Sequence, residues 1–126
     1  MKKDGKSLRV IVVDDAPEIL MIISEVLEKK ALVKTASTAE EALDEIGEQD
    51  YDLCFLDVNL PGMTGVDVLK IINERSPNTK VAIMTGTPLE ESMKGHVEDY
   101  AYAFIAKPFC LSEIERVAEK VKVTLD

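Results

Sequence analysis

The chain has 126 residues, 46% of them apolar and 31% charged, with a formal net charge of −9. That length suits one domain able to bury its apolar surface without disulfide or metal staples, and the acidic balance argues against a nucleic-acid or anionic-membrane surface. No apolar run approaches the ~20 residues of a transmembrane helix, and the polar start Met1-Lys2-Lys3-Asp4-Gly5-Lys6-Ser7 is not that of a signal peptide.

Leu8 to Val13 (LRVIVV) is rich in β-branched residues and reads as a first strand. Asp14-Asp15-Ala16-Pro17 stops it, and proline suits the first turn of a helix, where its missing N–H is not needed. Ile19, Leu20, Ile22, Ile23, Val26 and Leu27 then recur at helical spacing, predicting an amphipathic helix from Pro17 to about Lys29. Ala31 to Thr35 is a short second strand. Ser37 and Thr38 are N-cap candidates, and Thr38 with Glu41 forms a capping box ahead of a helix through Ile46, closed by Gly47.

Asp52 to Leu56 is a third strand, apolar without alternation, that ends at the carboxylate of Asp57. Pro61-Gly62 is a turn signal. Thr64 to about Arg75 makes a third helix with Val66, Leu69 and Ile72 on its inner face, broken by Ser76-Pro77-Asn78. Lys80 to Met84 is a fourth strand and Thr85-Gly86-Thr87-Pro88 a turn. From Pro88 or Leu89 a weak helix is expected around Glu90 to Lys94, interrupted by Gly95. Tyr102 to Ala106 is a fifth strand, ended by Lys107-Pro108, and Leu111, Ile114, Val117, Ala118 and Val121 give the last helix its buried stripe.

No repeat, low-complexity segment or linker interrupts this order, so a single domain over 1–126 is expected, with its core from about Leu8 to Val123. Strict β/α alternation with buried strands predicts a doubly wound (βα)5 three-layer sandwich, a five-stranded parallel sheet of order 2-1-3-4-5. Cys54 and Cys110 lack metal-type spacing and read as small buried or half-buried apolar residues of a cytoplasmic protein.

In such a sheet, ligands bind at the carboxyl ends of the strands near the switch point between strands 1 and 3. Strand 1 delivers Asp14 and Asp15 there, strand 3 Asp57, strand 4 Thr85 and strand 5 Lys107. Singly, each has a bland alternative. Asp15 could cap the helix near Pro17, Asp57 and Thr85 could be turn residues, and Lys107 could be a surface lysine. Together they are harder to dismiss, because three carboxylates at one edge repel unless a cation compensates. A hard divalent ion, Mg²⁺ or Mn²⁺, does so, and the backbone carbonyl of Asn59 could add an oxygen. A hydroxyl and an ammonium opposite the metal suit a phosphoryl group, with Asp57 the natural nucleophile for an acyl phosphate.

The motifs VVDD (Val12 to Asp15), LDVNLPGMTG (Leu56 to Gly65), MTG (Met84 to Gly86) and AKPF (Ala106 to Phe109) occur in order, and with them the chain resembles response regulator receiver domains of two-component phosphorelays. The resemblance spans about Leu8 to Val123 and implies a CheY-like, flavodoxin-like fold. By resemblance, Asp57 accepts phosphate from a phosphohistidine on a sensor histidine kinase or phosphotransfer protein. Asp15 ligates Mg²⁺ directly and Asp14 largely through water, beside Asp57 and the Asn59 carbonyl. Thr85 and Lys107 bind phosphoryl oxygens, and Lys107-Pro108 is cis. The resemblance also implies a switch in which Thr85 moves toward the phosphoryl group and the aromatic Phe104 turns inward. The face of helix 4, strand 5 and helix 5 then changes for an output domain beyond Asp126, a separate effector or a second copy of the chain. No separate substrate turnover, nucleic-acid binding or membrane association is expected.

The chain departs from the family pattern at Ala16, where a third acid is common, and over Leu89 to Tyr102, which lacks the usual alanine-rich helix. Helix 4 is therefore expected to be short, mobile or displaced. Asn59 and Thr87, at positions that tune acyl-phosphate lifetime in the family, carry no charge, and His96, the only histidine, reads as a surface residue. Two other classes compete. A haloacid-dehalogenase-like phosphatase also uses Asp, Thr and Lys around Mg²⁺, but it needs a second aspartate where this chain has Asn59. A non-phosphorylated interaction module would keep the fold without needing these carboxylates.

Overall fold

The computed structural model describes residues 8–86 and 91–125. The expectations for the amino-terminal seven residues and for Thr87, Pro88 and Leu89 lie outside the described residues, as does that for the His96 side chain. Along the chain run β1 (Leu8–Val13), α1 (Pro17–Leu27), β2 (Ala31–Ala36), α2 (Ala39–Glu48) and β3 (Leu53–Asp57). After them come α3 (Gly65–Arg75), β4 (Lys80–Thr85), α4 (Glu91–Tyr100), β5 (Ala103–Ala106) and α5 (Leu111–Leu125). The strands form one parallel sheet of order β2-β1-β3-β4-β5, the flavodoxin-like α/β arrangement.

Helices on both faces explain why the central strands are apolar at nearly every position. All five residues of β3 are buried. Side chains still alternate between two cores. Ile11, Val13, Cys54, Leu56, Val81 and Ile83 pack with α2, α3 and α4. Val10, Val12, Phe55, Ala82 and Met84 pack with α1 and α5. Cys54 is fully enclosed, and burial pushes its thiol up to about 12. Cys110 is exposed just ahead of α5, contrary to the expectation of burial, because the turn after Pro108 carries it to the surface.

Several element ends differ from expectation. Gly47 does not close α2; the helix runs to Glu48, and Gln49 takes an extended conformation while its N–H donates to the Glu45 carbonyl at 3.0 Å. Gly62 is the one described glycine with positive φ, at +87°, in the turn that its sequence predicts. Thr38 caps α2 by accepting the Glu41 N–H, and the Glu41 carboxylate reaches back to the Ser37 N–H and hydroxyl. α1 ends at Leu27, short of Lys29, and β3 begins at Leu53, just after Asp52, whose carboxylate accepts the Arg9 N–H at 2.8 Å. The fourth helix continues through Gly95 to Tyr100, held partly by the buried Val97. Leu111, placed in the buried stripe of the last helix, is 40% exposed at its first turn.

Because Gly47 lies exposed in the last turn of α2 with nothing within 4 Å of an added Cβ, Gly47→Ala should stabilise the protein by about 0.5 kcal/mol. Urea denaturation monitored by circular dichroism measures this, with a raised midpoint at unchanged slope expected.

Candidate functional site

Parallel register brings the predicted residues to one level. Val13 lies opposite Leu56, so Asp14 and Asp57 each follow one residue later. Asp57 lies opposite Met84, and Thr85 follows it. Thr85 lies opposite Ala106, and Lys107 follows in turn. Two backbone bonds fix this edge: the Val58 N–H donates to the Met84 carbonyl at 2.9 Å and the Lys107 N–H to the Thr85 carbonyl at 2.7 Å. The peptide between Lys107 and Pro108 is cis.

The site thus assembled is a cluster of acids with, among the described residues, one cation. Asp14, Asp15 and Asp57 each offer a carboxylate oxygen, and these oxygens lie within 4.8 Å of one another. Asp14, Asp57 and Thr85 are buried, whereas Asp15 is exposed. The Lys107 ammonium donates to Asp14 Oδ2 at 2.7 Å and stands 3.7 Å from Asp57 Oδ2. The remaining oxygen of Asp14, Oδ1, accepts the Ala16 N–H at 2.9 Å. A fully buried carboxylate is tolerable when paired and hydrogen-bonded in this way. Asp57 Oδ1 accepts the Asn59 N–H at 3.2 Å.

Burial lifts the Asp57 carboxyl above its ordinary 3.8. The Asn59 N–H opposes that rise, the negative charge of Asp14 adds to it, Lys107 opposes it and Asp15 adds a little more. Three carboxylates against one ammonium leave an excess of negative charge in a partly dry pocket. That donor set fits a hard divalent cation, which takes oxygen ligands and keeps several waters.

All of the sequence-predicted acids, with Thr85 and Lys107, come together. The helix-capping alternative for Asp15 is not realised, because α1 has Ala16 at its N-cap and no side-chain cap. Sequence reasoning missed the strength of the contact between Lys107 and Asp14, which joins residues 93 apart along the chain. It also missed the contact at Ala16, whose backbone N–H, not its side chain, engages Asp14. Phe104 stands apart from the cluster. It is 50% exposed on β5, beside a groove of about 520 Å³ lined by Lys94, Val97, Ala101 and Tyr102.

The family model of the response regulator receiver domain matches residues 10–119. The chain is 31% identical over 114 residues to the sensory/regulatory protein RpfC of Xanthomonas campestris pv. campestris, covering 86% of this chain but only 16% of that protein. It is 31% identical over 113 residues to sporulation initiation phosphotransferase F of Bacillus subtilis, covering 89% of this chain and 91% of that one. The crystal structure of the response regulator protein TrrA from Thermotoga maritima, in complex with Mg²⁺ and BeF, superposes with a TM-score of 0.81 at 29% identity, covering 91% of this chain and 99% of that one.

The raised carboxyl of Asp57 has a consequence for stability. A carboxyl held above its unfolded value binds its proton more tightly in the folded chain, so folding loses stability as pH rises from 3.8 through the raised value. With a chelator present, Asp57→Asn should therefore melt at a higher temperature than the parent at neutral pH. The gain should vanish below pH 3.8, where Asp57 is protonated in both states. Thermal denaturation across that range checks the sign.

Proposed function

The chain belongs to the response regulator receiver domain family, and we propose that it is a phosphoacceptor switch acting through Asp57. The observation that carries this reading is the close approach of three carboxylates, within 4.8 Å of one another, beside the ammonium of Lys107. Receiver domains form a signalling family rather than one of turnover enzymes, and the donor is a phosphohistidine on a sensor histidine kinase or a phosphotransfer protein. Among the described residues no helix is long and apolar enough to cross a membrane.

An Asp57 carboxylate oxygen attacks phosphorus in line with the bond to the donor histidine. The new O–P bond forms as the P–N bond breaks, and the imidazole nitrogen keeps the bonding pair and takes up a proton. The carboxylates of Asp14, Asp15 and Asp57, with the Asn59 carbonyl, would hold Mg²⁺, or Mn²⁺ in its place. When bound, the ion neutralises charge on the phosphoryl oxygens. Lys107 leaves Asp14 for a phosphoryl oxygen, a short excursion because its ammonium is already 3.7 Å from Asp57. Thr85, at the end of β4, donates its hydroxyl to another. Phe104 then turns inward from its exposed position, and the face of α4, β5 and α5 changes for an output partner. The phenyl ring lacks a hydroxyl, so inward burial sacrifices no hydrogen bond.

Incubation with a small acyl phosphate and Mg²⁺, followed by intact mass measurement, tests the chemistry. One added phosphoryl group is expected, and none with Asp57→Ala or with excess chelator. Addition that survives Asp57→Ala overturns the reading. Thr85→Ala should still accept phosphate but lose the accompanying change in amide hydrogen exchange across β5 and α5. An unchanged exchange response in that variant rules out Thr85 as the link between chemistry and shape.

A further inference from the structure

From the packing of α3 against the end of β3, we infer that Gly65 is a positioning residue for the phosphoacceptor, holding the Asp57-Val58 peptide in register with the acids of β1. The inference rests on the assignment of Asp57 as phosphoacceptor and adds a residue that touches no reactant.

Gly65 opens α3 and lies directly on the backbone that carries Asp57. A Cβ added there would stand 2.5 Å from the Val58 Cα, 2.7 Å from the Asp57 carbonyl oxygen and 3.0 Å from the Val58 carbonyl oxygen. Carbon atoms prefer contacts of roughly 3.5–4.0 Å, so one methyl group demands a displacement on the order of 1 Å. Each of the three obstructing atoms belongs to the backbone, so no rotamer change relieves the overlap. Gly65 is not needed for a positive φ, which among the described residues occurs only at Gly62. It is needed for proximity.

Neither side of this contact yields easily. The Gly65 N–H donates to the Val58 carbonyl at 2.8 Å, and Thr64 caps the helix by accepting the Asp67 N–H at 3.2 Å. Val66, Val68, Leu69 and Ile72 anchor α3 in the core. On the strand side, the Val58 N–H is tied to Met84. Since all three obstructing atoms lie in Asp57 and Val58, relief of the overlap displaces that peptide against its bond to Met84, and with it Asn59, whose N–H orients the Asp57 carboxylate. Turning that peptide changes the placement of the Asp57 side chain and the Asn59 carbonyl together relative to Asp14 and Asp15. Mg²⁺ demands near-ideal octahedral geometry, and in-line transfer tolerates little misplacement, so both metal binding and chemistry register the shift.

The test compares the parent with Gly65→Ala and with Ile72→Val, which loosens the same helix two turns from the contact. Each is measured for Mg²⁺ affinity by titration calorimetry, for phosphate uptake from a small acyl phosphate, and for melting temperature. Gly65→Ala should take up phosphate about 100-fold more slowly and bind Mg²⁺ about 10-fold more weakly. Ile72→Val should stay close to the parent in both despite its lower melting temperature. If Gly65→Ala is partly unfolded, the comparison is repeated in trimethylamine N-oxide, which favours the folded state. A folded Gly65→Ala with parent-like Mg²⁺ affinity and uptake overturns the inference. So does a loss of function in both variants that simply tracks melting temperature. A parent that takes up no phosphate overturns the phosphoacceptor reading instead, and the Mg²⁺ affinities alone then decide the role of Gly65.

Discussion

The repulsion among Asp14, Asp15 and Asp57 is the constraint around which this chain is built. A parallel sheet with fixed register sets buried Asp14 beside buried Asp57, and exposed Asp15 follows, so that their oxygens lie within 4.8 Å of one another. The chain offsets part of that cost with one long-range contact, Lys107 to Asp14, and two backbone donors, the N–H groups of Ala16 and Asn59. What is left over is an unbalanced charge in a pocket lined by buried Asp14, Asp57 and Thr85. Such a pocket has the donor set that a hard cation prefers, and a cation beside a carboxylate and an ammonium is the setting that phosphoryl transfer uses.

Lys107 has two demands on it. Its 2.7 Å bond to Asp14 stabilises a carboxylate with no exposure to solvent, while its 3.7 Å approach to Asp57 keeps it near the acceptor. Any group that takes over the neutralisation of Asp14 frees the ammonium for its neighbour. A cation at Asp14 and release of Lys107 would thus be linked through one carboxylate, each making the other easier. The coupling needs no moving element beyond a flexible side chain.

Much of this was legible in the sequence because strand ends are marked by abrupt changes of chemistry. LRVIVV gives way to Asp14-Asp15, LCFL to Asp57 and AFIA to Lys107, and parallel topology then aligns those junctions. Helix ends were less legible. Gly47 looked like a stop because glycine often closes helices, yet it keeps ordinary helical geometry here and the chain turns only at Gln49. The fourth helix was expected to break at Gly95, but continuing to Tyr100 lets it bury Val97. Packing of this kind outweighs the modest cost of a helical glycine. The steric role of Gly65 and the pairing of Lys107 with Asp14 were hidden for a different reason. Both depend on distances between segments, which no local pattern encodes.

The two cysteines differ in a way that is useful at the bench. Cys54 is sealed in the core with its thiol pushed up to about 12, so it is almost wholly un-ionised at neutral pH and out of reach of reagents. Cys110 is exposed, three positions beyond Lys107 in the turn that leads into α5. Since thiolate formation and access govern alkylation, a maleimide dye should attach at one position in the folded chain without any engineered mutation. The dye would sit next to the segment carrying Lys107, where it could follow a conformational response in real time. These 126 residues carry one exposed attachment point for a reporter, at Cys110.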